Sequence, residues 1–270
     1  MHTKSLVRSH DATELFLRRD LTDNARAVFV LVHGLGEHCE RYDYVTEQLN
    51  AFGYNVYRFD HRGHGRSGGA RGYLADFNEF IDDTHLMVRL AQAENPTLPV
   101  FMLGHSMGGF ITAAYGVKYP DVLRGQVLTG PCITLLPAFA PLRDEDIEPL
   151  DFMPNALSDV ICRDRGVVED YQTDHLVLMD FTKQMMKEVF VNGTDWLCAN
   201  IAHYRYPCLI MHGEADQIVP VSNSHYLHDN GSSPDKTLKV WPELFHEILN
   251  EREEKDQVLA EIRTWADARI

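Results

Sequence analysis

The chain has 270 residues, 44% hydrophobic and 24% charged, with 25 Lys plus Arg against 40 Asp plus Glu and a formal net charge of −15. That length supports a large core, and with no Pro/Gly/Ser-rich linker the sequence favours one large domain carrying an insertion over two independent domains. The acidic balance speaks against a nucleic-acid partner or an anionic membrane reached by electrostatics.

Strand-like and helix-like stretches alternate from residue 27 onward. Ala27 to Val32 (AVFVLV) is β-rich and ends at a glycine turn. Arg41 to Phe52 is amphipathic, with Tyr44, Val45, Leu49 and Phe52 on one face and Gly53 as a C-terminal stop. Tyr54 to Phe59 predicts a strand running into the turn DHRGHGRSGG, and Phe77 to Ala93 has apolar residues at helical spacing. Pro99 to Leu103 is a short apolar run, followed by a helix that Pro120 closes after Tyr119. Gly125 to Leu128, Cys208 to Met211 and Leu238 to Trp241 predict further strands, and a last helix starts near Glu253. Short continuous apolar runs alternating with amphipathic helices are the pattern of a mostly parallel sheet covered on both faces.

The alternation stops between about Pro131 and Tyr204. This stretch predicts a mostly helical cap, residues 131–204, inserted into a core formed by 1–130 and 205–270. Leu178, Met179, Phe181, Met185, Met186, Val189 and Phe190 form an apolar stripe within it. The stripe suits cap-to-core packing, or a flexible wall for an acyl chain.

In an α/β sheet, ligands bind beyond the C-terminal ends of the strands. Ser106 lies just past such an end, in LGHSMGGF, at the start of a helix. A nucleophile there needs a sharp turn, and Gly104 and Gly108 supply the room. A serine hydroxyl is a poor nucleophile until a base takes its proton, usually a histidine oriented by a carboxylate. In this architecture the chain order is Ser, then Asp or Glu, then His. CLIM runs into HGEADQIVP, which places Asp216 in a loop, and the next strand runs into PELFHEILN, which places His246 before the last helix. His212 and Glu214 flank Asp216 and are read as shaping its turn. The oxyanion needs two backbone N–H donors. Met107, after the nucleophile, supplies one, and Leu35 in His33-Gly34-Leu35-Gly36 supplies the other.

HGLGEHCERY (33–42), FDHRGHGRSGG (59–69), GHSMGG (104–109), HGEADQIVP (212–220) and FHE around His246 together resemble the monoglyceride lipase and lysophospholipase branch of the α/β-hydrolases. The resemblance implies the α/β-hydrolase fold and a serine hydrolase for small carboxylic esters, with no cofactor or metal. It implies Ser106, Asp216 and His246 as triad, and Leu35 and Met107 as oxyanion donors. Arg41 and His105 match polar positions near the alcohol pocket, Tyr171 matches a cap tyrosine, and His33 and Gly34 complete the substrate-site set. In that branch a glutamate stands four residues before the cap tyrosine. Here that position is Val167, with Glu169 and Asp170 nearby. An esterase for aryl, cinnamoyl or short-chain esters therefore stands as the alternative, and a ligand-binding receptor on a hydrolase scaffold as a third reading.

His61 and His64 lie three apart in a glycine-rich loop and are read as structural, not as a metal pair. The cysteines (Cys39, Cys132, Cys162, Cys198 and Cys208) are odd in number with no C-x-x-C, which predicts free thiols in a reducing compartment. The N-terminal MHTKSLVRSHDATELF lacks an apolar signal core, and no apolar run approaches the ~18 residues of a spanning helix. The expectation is a cytoplasmic protein without a stable membrane anchor. The sequence leaves oligomeric state open, a homodimer among the options.

Overall fold

A computed structural model describes residues 1–270. In chain order the elements are β1 (His2–Arg8), β2 (Glu14–Asp20), β3 (Ala27–Val32), α1 (Asp43–Ala51), β4 (Tyr54–Phe59), α2 (Asn78–Glu94), β5 (Val100–His105), α3 (Met107–Lys118) and β6 (Gly125–Thr129). There follow β7 (Phe152–Pro154), α4 (Arg165–Thr173), β8 (Asp180–Thr182), α5 (Lys183–Lys187), α6 (Thr194–Asn200), β9 (Cys208–Gly213), α7 (Ser222–Asn230), β10 (Lys236–Trp241) and α8 (Lys255–Asp267).

Eight strands form one sheet in the order β1-β2-β4-β3-β5-β6-β9-β10. The pairs β1–β2 and β2–β4 are antiparallel, and the remaining pairs are parallel. This is the α/β-hydrolase architecture expected from the sequence. The strand β3 shows why its apolar run is continuous. Val28, Val30 and Val32 face one core cluster with Ile81 of α2 and Phe110 of α3, while Ala27, Phe29 and Leu31 face a second with Leu49 of α1 and Ile262 of α8. A strand buried on both faces has no polar side to alternate with.

The sequence reading did not include the β1–β2 hairpin or α7. The residues of β1 are mostly exposed, so the hairpin lacks the two-sided apolar signal. Helix α7, SNSHYLHDN, consists largely of weak helix formers and is held by tertiary contacts instead.

Residues 131–204 are interposed between β6 and β9. They hold α4, α5 and α6, a π-helical turn at Glu188–Gly193, several 3-10 turns and the small β7–β8 hairpin. The hairpin departs from the mostly helical expectation. The stripe at Phe181, Met185, Met186, Val189 and Phe190 is buried in the same cluster as α2 and α3, which is the packing reading. Met179 differs, at 62% exposed. No helix is long and apolar enough to cross a membrane.

The crossing of β3 and α3 is tight. A Cβ on Gly108 would stand 2.0 Å from the Val32 carbonyl oxygen and 2.6 Å from that of His33. Both obstacles are backbone, so neither can swing aside. Gly108→Ala is expected to cost about 3 kcal/mol or more, the upper range of overpacking. Gly166→Ala, near the exposed start of α4, is the matched control and is expected to stay within about 0.5 kcal/mol of the parent. Urea unfolding midpoints of the two variants check this.

Candidate active site

Ser106 joins β5 to α3 with φ 56° and ψ −116°, a left-handed conformation rare for a residue with a side chain. Such strain costs about 1–3 kcal/mol and persists only where neighbours hold it. Here the Ser106 N–H donates to the Thr129 carbonyl at 3.0 Å, and the Ser106 carbonyl accepts from Phe110 N at 3.1 Å and Cys132 N at 3.2 Å. Gly104 leaves the turn its space, since a Cβ there would meet Thr112 Oγ1 at 2.1 Å and the Gly108 carbonyl at 2.2 Å.

Asp216 follows β9 and His246 follows β10, so both reach the same sheet edge as Ser106. His246 Nδ1–H donates to Asp216 Oδ2 at 2.6 Å. The other carboxylate oxygen accepts from Ile218 N at 2.8 Å and Val219 N at 2.9 Å. Burial pushes the Asp216 carboxyl up, but the His246 charge and the hydrogen bonds of both imidazoles outweigh it and hold the group far below the usual range. Burial likewise opposes a charge on His246, yet the Asp216 carboxylate overcomes it and raises the imidazole pKa above 6.5. The His246 ring packs against His105, centroid to centroid 4.6 Å, and lies beside Gly130, next to the Thr129 carbonyl that holds Ser106. The Ser106 hydroxyl makes no hydrogen bond within the protein. Catalytic hydrogen bonds often close only when substrate binds.

Two backbone amides in the loops near Ser106 lack an acceptor in the protein. The Met107 N–H is the first of α3, one of the helix amides without an internal acceptor. The Leu35 N–H also has no acceptor in the protein. The amide before it, Gly34 N–H, is held at 2.6 Å by Glu37 Oε1, which also accepts from Tyr42 Oη at 2.7 Å. Glu37 Oε2 pairs with Arg41 Nη1 at 2.8 Å, and Arg41 reaches Glu247 at 2.7 and 2.9 Å through its two terminal nitrogens. Burial raises the Glu37 carboxyl, with Glu247 adding to the rise. Glu247 is equally buried, but its bidentate hold on Arg41 brings it down to about 2.

The remaining substrate-site expectations fall around this network. Arg41 does reach the site, but its terminal nitrogens are committed to two carboxylates, and its guanidinium lies 4.8 Å from the Tyr171 ring centroid. Tyr171, on α4, is buried, and its hydroxyl accepts from Asn155 Nδ2 at 2.7 Å. His105 is buried behind His246 and donates from Nδ1 to the Thr129 carbonyl at 3.0 Å. His33 buttresses the loop: its Nδ1–H donates to the Gly34 carbonyl at 2.8 Å and its Nε2 accepts from His61 N–H at 3.0 Å. Gly34 has no room for a side chain, with Glu37 Oε1 only 2.7 Å from a Cβ position. Glu169 and Asp170 are exposed, and their carboxylates make no hydrogen bond within the protein. The sequence reading missed Glu37, Tyr42 and Glu247. Two signals pointed to them: the i,i+4 spacing of Glu37 and Arg41, and a second carboxylate directly after His246.

A cleft of about 580 Å³ lies where α4 meets the loop after β3, lined among others by His38, Arg41, Asp170, Asp174 and Asn250. It does not include Ser106, which is 9% exposed.

Residues 23–253 match the family described as serine aminopeptidase, S33. The chain belongs to this family. It is 37% identical to a monoacylglycerol lipase of Mycolicibacterium smegmatis over 89% of this chain and 88% of that protein. It is 32% identical to the rat monoglyceride lipase over 91% of this chain and 84% of that one. Among solved structures, the monoacylglycerol lipase of Paleococcus ferrophilus superposes with a TM-score of 0.85 at 28% identity, covering 95% of this chain and 100% of that chain. As an S33-family member with this fold, the protein is a serine hydrolase.

The family's loop scaffold contains four buried histidines that disfavour charge. Burial brings His61 to about 3, His64 to about 4 and His105 to about 3, and takes His33 well below its ordinary 6.5. In the unfolded chain all four take up protons near 6.5. The stability they contribute is therefore complete above 6.5 and is lost as the pH falls toward 3–4. His246, Glu37 and Glu188, whose values are raised, act with the opposite sign, but they are outnumbered once the lowered His85 joins the other four. Urea titrations between pH 7 and pH 5 are expected to show stability falling by more than about 1.4 kcal/mol per pH unit in the lower half, the slope of one net proton taken up on unfolding.

Proposed function

We propose that the protein is a carboxylic ester hydrolase acting on monoacylglycerol-like esters, with Ser106, Asp216 and His246 as its triad. The observation that carries this reading is the buried Asp216–His246 pair beside a serine held in a strained turn, with the free Leu35 and Met107 amides next to it. His246 takes the proton from Ser106 Oγ as the oxygen attacks the acyl carbonyl, and Asp216 stabilises the imidazolium. The Leu35 and Met107 N–H groups hold the oxyanion. The alcohol leaves with a proton from His246, and water then attacks the acyl-enzyme by the same route. No step calls on a metal or cofactor.

Residues 131–204 act as a cap over this edge. Ser106 is nearly covered, so the cap shifts to admit an acyl chain. The named relatives support monoacylglycerols as substrates. Val167, at the position where the sequence resemblance implies a glutamate, favours a second reading, an esterase for short or aryl esters.

Ser106→Ala is expected to abolish turnover while leaving the unfolding midpoint unchanged, and full activity in that variant removes Ser106 from the mechanism. Because His246 must be neutral to act as base, kcat/KM is expected to fall as the pH drops through a midpoint above 6.5. Rates on glycerol monoesters and p-nitrophenyl esters from two to sixteen carbons separate the two substrate readings. Rising efficiency with chain length and a preference for glycerol esters supports the lipase. A peak at short acyl groups with glycerol esters ignored supports the esterase.

A further inference from the structure

The end of β9 holds a buried histidine that the triad does not use. His212 has no exposed surface, and its Nε2 lies 3.0 Å from Asp216 Oδ2 and 2.8 Å from the Val219 carbonyl oxygen. Both neighbours can only accept, so Nε2 carries the proton. Nδ1 lies 2.7 Å from Ser224 Oγ, on the buried face of α7. With Nε2 protonated and Nδ1 accepting from the serine hydroxyl, all three contacts are met by a neutral ring.

Asp216 Oδ2 therefore accepts from two imidazoles, His246 at 2.6 Å and His212 at 3.0 Å, while Oδ1 accepts two backbone amides. The two amides alone leave Oδ2 anchored only by the histidine it must orient. Helix α7 is itself fixed to the nucleophile's surroundings. Asn223 Oδ1 accepts from Ile133 N and Thr134 N, both at 2.8 Å, and the adjacent Cys132 N donates to the Ser106 carbonyl.

We infer that His212, with its tautomer set by Ser224, is a positioning residue that fixes the rotation of the Asp216 carboxylate so that Oδ2 stays aimed at His246 Nδ1. The inference rests on the proposed triad. It adds to the reading of His212 as a residue that shapes the turn, which its contact with the Val219 carbonyl fits. His212 touches neither substrate nor reacting atoms, and its effect passes through Asp216 to the base.

Two substitutions of similar polarity separate positioning from packing. In His212→Gln the amide nitrogen reaches the place of Nε2 and can donate to Asp216. In His212→Asn the shorter amide keeps the side near Ser224 and falls short of Asp216. The full chain is assayed on a short p-nitrophenyl ester, and the low-field proton of His246 Nδ1–H is followed by NMR. His212→Gln is expected to keep kcat within about threefold. His212→Asn is expected to lose about 10- to 100-fold in kcat, the range seen when a partner that orients a reactive group is removed, with KM within about twofold and the low-field resonance displaced. Equal kcat in the two variants overturns the inference, whether both match the parent or both fall together. Should neither variant fold, Ser224→Ala decides: a displaced His246 resonance supports the inference and an unchanged one overturns it. Asp216→Asn is run alongside. Activity retained there overturns the triad assignment itself, which separates that failure from a failure of His212.

Discussion

The site depends on one backbone conformation, the left-handed turn at Ser106. It lifts the hydroxyl off the sheet edge and starts α3 with its first amide facing the same point. The conformation is unfavourable on its own, so the surroundings must hold it. The Thr129 carbonyl takes the serine N–H, two amides take its carbonyl, and Gly104 and Gly108 let α3 lie directly on β5 and β3. The parallel register of β5 with β3 and β6 sets these distances, bringing the loops after β3, β5 and β6 to one edge. The sheet thus acts as a jig for the loops.

The second organising element is buried charge. Glu37, Arg41 and Glu247 form an ionic bridge from the loop after β3 to the loop of His246, and Tyr171 covers the guanidinium from the inserted segment. A buried ion pair adds little net stability compared with apolar packing, whereas removing one partner costs about 3–5 kcal/mol. The value of such a bridge lies in geometry. Glu37 fixes the Gly34 amide and so the plane of the peptide beside Leu35. Its neighbour in function, the Asp216 carboxylate, is saturated with donors and remains ionised. Glu37, which shares one arginine with a second acid, is pushed up, whereas Asp216, which collects four hydrogen-bond donors, is pulled down.

Much of this was legible in the sequence where a physical signal was strong. The double-sided strands β3 and β5 announce themselves as apolar runs, and the loops after β3, β5, β9 and β10 carry Leu35, Ser106, Asp216 and His246 in the expected order. The legible part is what depends on local pattern. The β1–β2 hairpin was not legible, because an exposed edge strand has no apolar face to display. Nor was the commitment of Arg41, since a sequence shows a cation but not the two acids, one of them more than two hundred positions away, that take its donors. His212 was visible as a residue at the turn of Asp216, and its contact with the Val219 carbonyl agrees with that place. Its spacing to Asp216 suggests a turn, and only the position of α7, an element without a pattern of its own, reveals the ring's second partner.

The inserted segment touches the loop after β3 at several points. Leu178 N–H donates to the Gly36 carbonyl at 2.8 Å, His38 Nε2 donates to Asp174 at 2.8 Å, and Glu247 N–H on the His246 loop donates to the Ile161 carbonyl at 2.8 Å. Each of the two backbone bonds exchanged for water costs only about 0.5–1.5 kcal/mol, and the bond to the Asp174 carboxylate about 1.5–3 kcal/mol. The Glu37–Arg41–Glu247 bridge lies beneath them and involves no residue of 131–204. It holds the Gly34 amide and the His246 loop in register independently of the covering contacts. Charged contacts lie on both sides of this boundary, since Arg163 of the segment pairs with the buried Glu251 and with Glu254, but only the Glu37–Arg41–Glu247 bridge ties the loop after β3 to the loop of His246.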